Sequence, residues 1–385
     1  MRNNEMKKKI VIVAGARPNF MKIGPLMHEF IRHKNIFNTI LIHTGQHYDF
    51  EMSEKFLKDL NIPKPDYFLN VGSASHATQT AKIMVAFEKV ILNVMPDLVV
   101  VVGDVNSTLA CAIVASKLNI KIAHVEAGLR SFDRTMPEEI NRIVTDSLSD
   151  YLFVSEESGL MNLKAEGVNS KKVYFVGNIM IDTLLSKMNI IAKCNILNSL
   201  SMRDKTNKLK LKTYAVLTLH RPANVDSNES LTKIYNILKT ISQKTKIVYP
   251  IHPRTKKMIK KHNFLKKFEL LNNLIMVKPL GYIDFIKLAK DSRFVLTDSG
   301  GIQEETTFLK VPCLTMRDNT ERPVTIKKGT NYLVGRNKSR VVRHVDYILN
   351  NSNKRSQIPK LWDGKTAERI VRIIINSCNT EERRK

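Results

Sequence analysis

The sequence predicts an α/β protein of two Rossmann-like, doubly wound domains. Three observations lead there. Short Val/Ile-rich runs, several ending in Gly, alternate with helical stretches from residue 9 to 155; the alternation pauses at about 185–212; it then restarts and runs from 214 to 316. Strands feeding helices in this order form βαβ units around a parallel sheet. Uninterrupted apolar runs, rather than in-out alternation, are what a sheet covered on both faces requires. The 385 residues also exceed the ~250–300 at which a single core stops growing.

The elements follow in order. KIVIVAG (9–15) is a buried strand, followed by a helix from about Phe20 to Arg32 and a strand TILIHTG (39–45). PDLVVVVGD (96–104), a helix over 106–118, KIAHVEAG (121–128), a helix over 138–148 and YLFVS (151–155) complete the first set. The second set comprises YAVLTLH (214–220), KIVYPIH (246–252), LIMVKPL (274–280), RFVLTDSGG (293–301) and VPCLTM (311–316), with helices between them. A last helix over about 364–378 follows and can pack back on the first domain. The expected division is 1–180 with 365–385, and 181–364, with the active site in the interdomain cleft at the carboxyl ends of the strands.

Composition narrows the class. With 43% hydrophobic and 25% charged residues the chain is an ordinary globular protein rather than a disordered one. No apolar stretch approaches the ~18–20 residues that span a bilayer, so membrane insertion is not expected. The apolar run near the start ends at Ala14–Arg17, before the ~7–15 residues of a signal-peptide core. Cys111, Cys194, Cys313 and Cys378 lie far apart with no C-x-x-C pair, which fits a reducing cytoplasm and argues against a zinc site. The net charge is +26, of which 19 basic minus 4 acidic residues between Leu185 and Leu270 contribute +15. No aromatic–basic interleaving, C2H2 spacing or RNA-binding motif accompanies these lysines. They are therefore expected to form a solvated surface that steers an anionic substrate, not a nucleic-acid face.

The polar residues at the strand ends carry the chemistry. GARPNFMK (15–22) lacks the G-x-G-x-x-G dinucleotide fingerprint but places Arg17 and Lys22 where a strand gives way to a helix, either as phosphate ligands or as surface cations. Asp104 closes the third strand and can also cap the next helix. Glu126 ends the following strand. Glu138, with Glu139, opens a helix, where the macrodipole also favours it. All three carboxylates fall at one edge of one sheet, and crowded carboxylates raise one another's pKa into a range useful for proton transfer. His220 follows a strand in LTLHRP; a lone His of this kind also suits a structural role. TDSGGIQEE (297–305) joins a strand to a helix through Ser299, Gly300 and Gly301, with Glu304 and Glu305 in the first turns. Exposed N–H groups at such a helix start bind phosphate, and a carboxylate one turn on can hold ribose hydroxyls. RDNTERP supplies Arg322.

GARPNFMK, TGQHYD, VVGDVNST, HVEAGLRSFD, MPEEINR, LHR, PIHPRT, TDSGGIQEE and RDNTERP occur in order along the chain. As a set they resemble the non-hydrolysing UDP-N-acetylglucosamine 2-epimerases, from about Lys9 to Glu368. The resemblance implies a glycosyltransferase B fold, a homodimer, no metal or nicotinamide cofactor, and inversion at C2 of a UDP-sugar through a 2-acetamidoglucal. It implies that Asp104, Glu126 and Glu138 handle protons and cationic character at C1, and that His220 acts on the departing phosphate. It also implies that Arg17, Lys22, Ser299, Gly300, Gly301 and Arg322 hold UDP, with Glu305 on the ribose and Phe285 beside the uracil near the Leu280 backbone.

The chain departs from the commonest family pattern at Ala16 and Asn19-Phe20. It carries Tyr48 where the allosterically regulated bacterial members carry Arg, so regulation by a second UDP-sugar is not implied. Relatives acting on UDP-2,3-diacetamido-2,3-dideoxy-glucuronate or UDP-6-deoxy-2-acetamido sugars match at the same positions. A glycosyltransferase B-type transferase would share the fold but would need an acceptor. A nucleic-acid-binding module would show a steep salt dependence and would survive loss of Asp104 or Glu126.

Overall fold

The computed structural model describes residues 7–45, 57, 60–203, 209–350 and 354–382. The chain divides into two compact units, Met1–Leu185 with Lys360–Lys385, and Ser186–Pro359.

Among its described residues the first unit holds seven parallel strands: β1 (Lys8–Ala14), β2 (Phe37–His43), β3 (Tyr67–Phe68), β4 (Leu98–Val102), β5 (Lys121–Ala127), β6 (Tyr151–Val154) and β7 (Val173–Phe175), in the order β3-β2-β1-β4-β5-β6-β7. β4 reads Leu-Val-Val-Val-Val and is buried along its whole length, as a central strand under helices on both faces must be. Val99 and Val101 pack with Ile83, Phe87 and Ile91 of the helix His76–Val94 and with Ala110, Cys111 and Val114 of the helix Asn106–Lys117. The strand order turns round between β1 and β4. In a doubly wound sheet, that switch point is where loops part and leave a crevice. The turns after β1 and β4, at Gly15–Ala16 and Gly103–Val105, lead into the helices that open at Arg17 and Asn106.

The second unit repeats the plan with β8 (Tyr214–Thr218), β9 (Lys246–Pro250), β10 (Leu274–Val277), β11 (Phe294–Thr297), β12 (Cys313–Thr315) and β13 (Asn331–Leu333), ordered β10-β9-β8-β11-β12-β13 and all parallel. Its switch point lies between β8 and β11. The loops there hold His220 and Asp298–Gly301.

The stretch expected to be a pause is largely helical, with Ile179–Lys193 and Ile196–Arg203. Leu184, Ile191 and Leu200 bury one side, while Ser186, Asn189 and Lys193 face solvent. The polar composition hid the sparse apolar spacing. β3, β7, β13 and the helix Lys338–Leu349 were not drawn from sequence; the strands are two or three residues long, too short to show a period. The terminal helix runs over Thr366–Glu382 and packs on the helix Arg17–Arg32. Asp182 accepts the Ala367 N–H at 2.8 Å, and the Trp362 indole donates to the Ser155 carbonyl at 3.1 Å. These contacts tie the returning segment down. Among the described residues no helix is long and apolar enough to cross a membrane.

Candidate active site

In the first unit, polar side chains from distant positions meet at the switch point. Asn19 accepts the Ala16 N–H at 2.8 Å and donates to the Val102 carbonyl at 2.9 Å, which ties the loop after β1 to the end of β4. Gly103 then turns the chain at φ +68°, and a Cβ there would stand 2.8 Å from Lys22 Nζ. Glycine alone fits both the backbone angle and the ammonium. Arg17 opens its helix, but its side chain lies outside the described residues, as does Tyr48.

Lys22, expected near phosphate oxygens, has its ammonium on Glu126 Oε2; both side chains are buried. Glu126 sits at φ +73°, where the β5–β6 register shifts between Val125 and Ala127. Such a bulge re-aims one side chain out of the alternating pattern. A non-glycine residue held at positive φ is strain of the kind that collects at functional sites. Here the buried pair with Lys22 opposes relaxation.

Asp104, about a quarter exposed, is paired with Arg142. Arg142 is buried and spans Asp104 and Glu139, its Nη2 lying 2.5 Å from Glu139 Oε2. Glu139 also accepts the backbone N–H groups of Ser131 at 2.9 Å and Phe132 at 2.8 Å. Burial alone would raise its pKa, but the Ser131 N–H and the Arg142 guanidinium outweigh it and hold the carboxyl below the usual range. Glu138, half-buried, lies in the first turn of the helix Pro137–Leu148. Arg142 was missed from sequence, although the Glu139–Arg142 spacing of three residues is the signal that could have found it.

The second unit builds an anion-friendly edge. Asp298 is fully buried and accepts the N–H groups of His220 at 3.0 Å and Arg221 at 2.9 Å and the Asn224 amide at 2.9 Å. His220 Nδ1 lies 3.2 Å from Asp298 Oδ1, and the ring is 41% exposed. A carboxylate behind a half-exposed imidazole orients its free nitrogen outward, a donor-acceptor arrangement suited to proton transfer. The helix Gly300–Phe308 begins at Ser299 with no side-chain cap, so its first N–H groups remain for a ligand. A Cβ on Gly300 would lie 2.6 Å from Arg322 Nη1, which places the guanidinium over that helix start. Gly301 continues its first turn.

Arg322 is itself fixed, its Nε 2.8 Å from Glu304 and its Nη1 on Glu321. Glu321 also takes Arg317 at 2.7 Å. Burial opposes its charge, yet Arg322 and Arg317 hold its carboxyl well below the ordinary range. Glu321 and Arg317 were not picked out from sequence, because their roles depend on a loop returning to the helix start. Leu280 and Phe285 are half-buried against an apolar cluster containing Leu288, Ala289 and Val295.

Glu305 is buried beside Tyr282 and Glu304, and burial pushes its carboxyl up to about 8. A carboxyl raised in the folded state binds its proton more tightly there than in the unfolded chain. Its stabilising contribution is complete below the ordinary carboxylate range and is lost as pH rises toward 8. Glu305→Gln is therefore expected to flatten the fall in stability over that window by on the order of 1 kcal/mol per pH unit. Urea midpoints of parent and variant at several pH values check this; parallel curves would refute it.

Among the described residues no group of three or more His, Cys, Asp or Glu is arranged to hold a metal ion.

Comparisons with known proteins place the chain among its relatives. The family model described as UDP-N-acetylglucosamine 2-epimerase matches residues 29–375. The UDP-N-acetylglucosamine 2-epimerase of Methanocaldococcus jannaschii is 45% identical over 372 residues, covering 95% of this chain and 98% of that protein. A crystal structure of the M. jannaschii enzyme in complex with UDP-GlcNAc and UDP superposes with a TM-score of 0.88 at 44% identity, covering 96% of this chain and 99% of the other. The UDP-2,3-diacetamido-2,3-dideoxy-D-glucuronate 2-epimerase of Pseudomonas aeruginosa is 40% identical over 337 residues, covering 87% and 90%.

Proposed function

Since the chain belongs to the UDP-N-acetylglucosamine 2-epimerase family, we propose that it interconverts UDP-N-acetylglucosamine and UDP-N-acetylmannosamine without net hydrolysis. What carries this reading is one observation: Asp104, just after β4, and Glu126, near the end of the neighbouring β5, each have a buried cation of their own.

The chemistry explains why such an arrangement is useful. The C2 proton of the sugar is barely acidic until the C1–O bond is nearly broken. Departure of UDP must therefore be stabilised as the proton leaves. A carboxylate takes the C2 proton, the C2–H electrons form the C1–C2 double bond, and the C1–O pair leaves on the β-phosphate. The resulting 2-acetamidoglucal takes a proton on its opposite face while UDP adds back at C1. In this assignment Asp104, Glu126 and Glu138 are the carboxylates of the two proton transfers. Lys22 pairs with Glu126 and Arg142 with Asp104, which fixes where each carboxylate points. Arg322, the Ser299 side chain and the N–H groups of Gly300 and Gly301 hold the diphosphate, where charge develops. His220 serves the leaving phosphate, Glu305 the ribose, and Leu280 with Phe285 the uracil.

Gly300→Ala tests the diphosphate grip. The added methyl meets the Arg322 guanidinium and the Glu321 carboxylate rather than backbone, so this buried pair must shift. UDP affinity is expected to fall by about tenfold or more, as for loss of a charge-assisted contact. Calorimetric titration with UDP decides; unchanged affinity removes Arg322 from the site.

The 40% identity to the P. aeruginosa enzyme supports a second reading, a 2,3-diacetamido-glucuronate substrate. Side-by-side incubation with the two UDP-sugars, followed by NMR of the products, separates the two. Turnover of UDP-N-acetylglucosamine alone supports the first reading, and turnover of the uronate alone supports the second. In the same reading the protein is a cytoplasmic homodimer. Light scattering is expected to give a mass near twice 44.0 kDa.

A further inference from the structure

His124 lies on β5, two residues before Glu126, and is fully buried. Its Nε2 is 2.8 Å from the Gly103 carbonyl oxygen and its Nδ1 is 2.6 Å from Asp146 Oδ1. A carbonyl oxygen can only accept a hydrogen bond, and an ionised carboxylate likewise only accepts. Asp146 is ionised: its second oxygen takes the Gly128 N–H at 3.0 Å and Arg130 Nη2 at 2.7 Å. Burial works against that charge, but His124 and Arg130 keep the Asp146 carboxyl below its ordinary range. A neutral imidazole has one N–H. One of the two short approaches would then set a ring lone pair against an oxygen lone pair in a dry interior.

We propose that His124 is a positioning residue, held as an imidazolium that donates from both ring nitrogens and thereby fixes the Gly103–Asp104 turn beneath the site. Its kinetic consequence rests on the epimerase reading above. The Gly103 N–H donates to the Val125 carbonyl at 3.0 Å, and the Gly103 carbonyl accepts from His124. Both polar groups of this left-handed residue are thus anchored to β5, and the direction of Asp104 follows from that turn. Asp146 faces the ring from the helix Pro137–Leu148, Arg130 joins Asp146 from the loop after β5, and the exposed Glu166 takes Arg130 Nε at 2.7 Å. On the far side of Gly103 stand Lys22 and Glu126, already paired with each other.

The test has a spectroscopic arm that is independent of activity. The full chain, labelled with 15N in its histidine rings, is examined at neutral pH by NMR. The expected result is a histidine in slow exchange with solvent that carries a proton on each ring nitrogen and is absent from the His124→Gln spectrum. One bare ring nitrogen on the histidine whose signals His124→Gln removes overturns the proposal; His43, also buried, accepts the Gly45 N–H on Nδ1 and is expected to show one bare nitrogen. The kinetic arm uses the same variant, in which a neutral amide keeps one donor. A slightly misdirected Asp104 is expected to lower kcat by about tenfold or more, with KM for UDP-N-acetylglucosamine within about twofold of the parent. A parental kcat in the folded variant also overturns it. If His124→Gln does not fold, the doubly protonated, slowly exchanging ring in the parent decides. Absence of epimerisation by the parent defeats the epimerase reading, whereas the ring protonation decides the proposal about His124.

Discussion

Glu126→Gln is expected to lower kcat by about 10²- to 10⁴-fold, the span associated with loss of a positioned acid or base. UDP affinity is expected to stay within about threefold, because the substitution removes proton transfer rather than ground-state binding. A stability effect accompanies it. Lys22 is buried against Glu126, and a neutral amide leaves its ammonium without a counter-charge. Breaking one side of such a pair costs on the order of 3–5 kcal/mol. The double variant Lys22→Met/Glu126→Gln removes both charges and is expected to regain stability while staying inactive. Single-turnover kinetics and urea unfolding on the three proteins separate the two roles. A Glu126→Gln enzyme with parental kcat would remove the residue from the chemistry.

Arg142→Met is the second large effect. The guanidinium is 2% exposed and bridges Asp104 to a Glu139 side chain only 1% exposed. Methionine fills much of its volume but leaves two carboxylates without their shared cation. The loss is expected to be about 3–5 kcal/mol of stability in the first unit, since an uncompensated buried charge remains. Activity is expected to fall by about 10²-fold or more as Asp104 loses its orientation. Arg142→Lys is expected to rescue neither property fully, because an ammonium lacks the planar fork that reaches both partners. Urea midpoints and kcat for the two variants check this. Parental stability in Arg142→Met would mean that Glu139 is satisfied by the Ser131 and Phe132 N–H groups alone.

Much of the architecture was legible because both parallel sheets are covered on two faces. Continuous runs such as Leu98–Val102 announce a central strand, and the glycines behind them announce where loops open. The polar residues at those ends, among them Asp104, His220 and Ser299–Gly301, lie at the two switch points where the fold class places a ligand. Their partners were harder to see. Lys22 meets Glu126 across 104 positions, and Asp104 meets Arg142 across 38. No local period encodes such pairings; they follow from how β1, β4 and β5 are ordered and registered. The bulge that aims Glu126 depends on a one-residue shift against β6, which a strand pattern read alone does not contain. The helices Ile179–Lys193 and Ile196–Arg203 were obscured by their Lys- and Asn-rich exposed faces, although the apolar residues they bury were present.

The proposed reaction requires the C2 proton to leave and a solvent proton to replace it. Proton NMR of the unmodified protein incubated with UDP-N-acetylglucosamine in D2O, with neither metal nor nicotinamide added, follows that exchange. The expected product is UDP-N-acetylmannosamine carrying deuterium at C2, with deuterium also entering C2 of the remaining substrate. Product that keeps its original C2 proton, or unchanged substrate with no exchange, would contradict it.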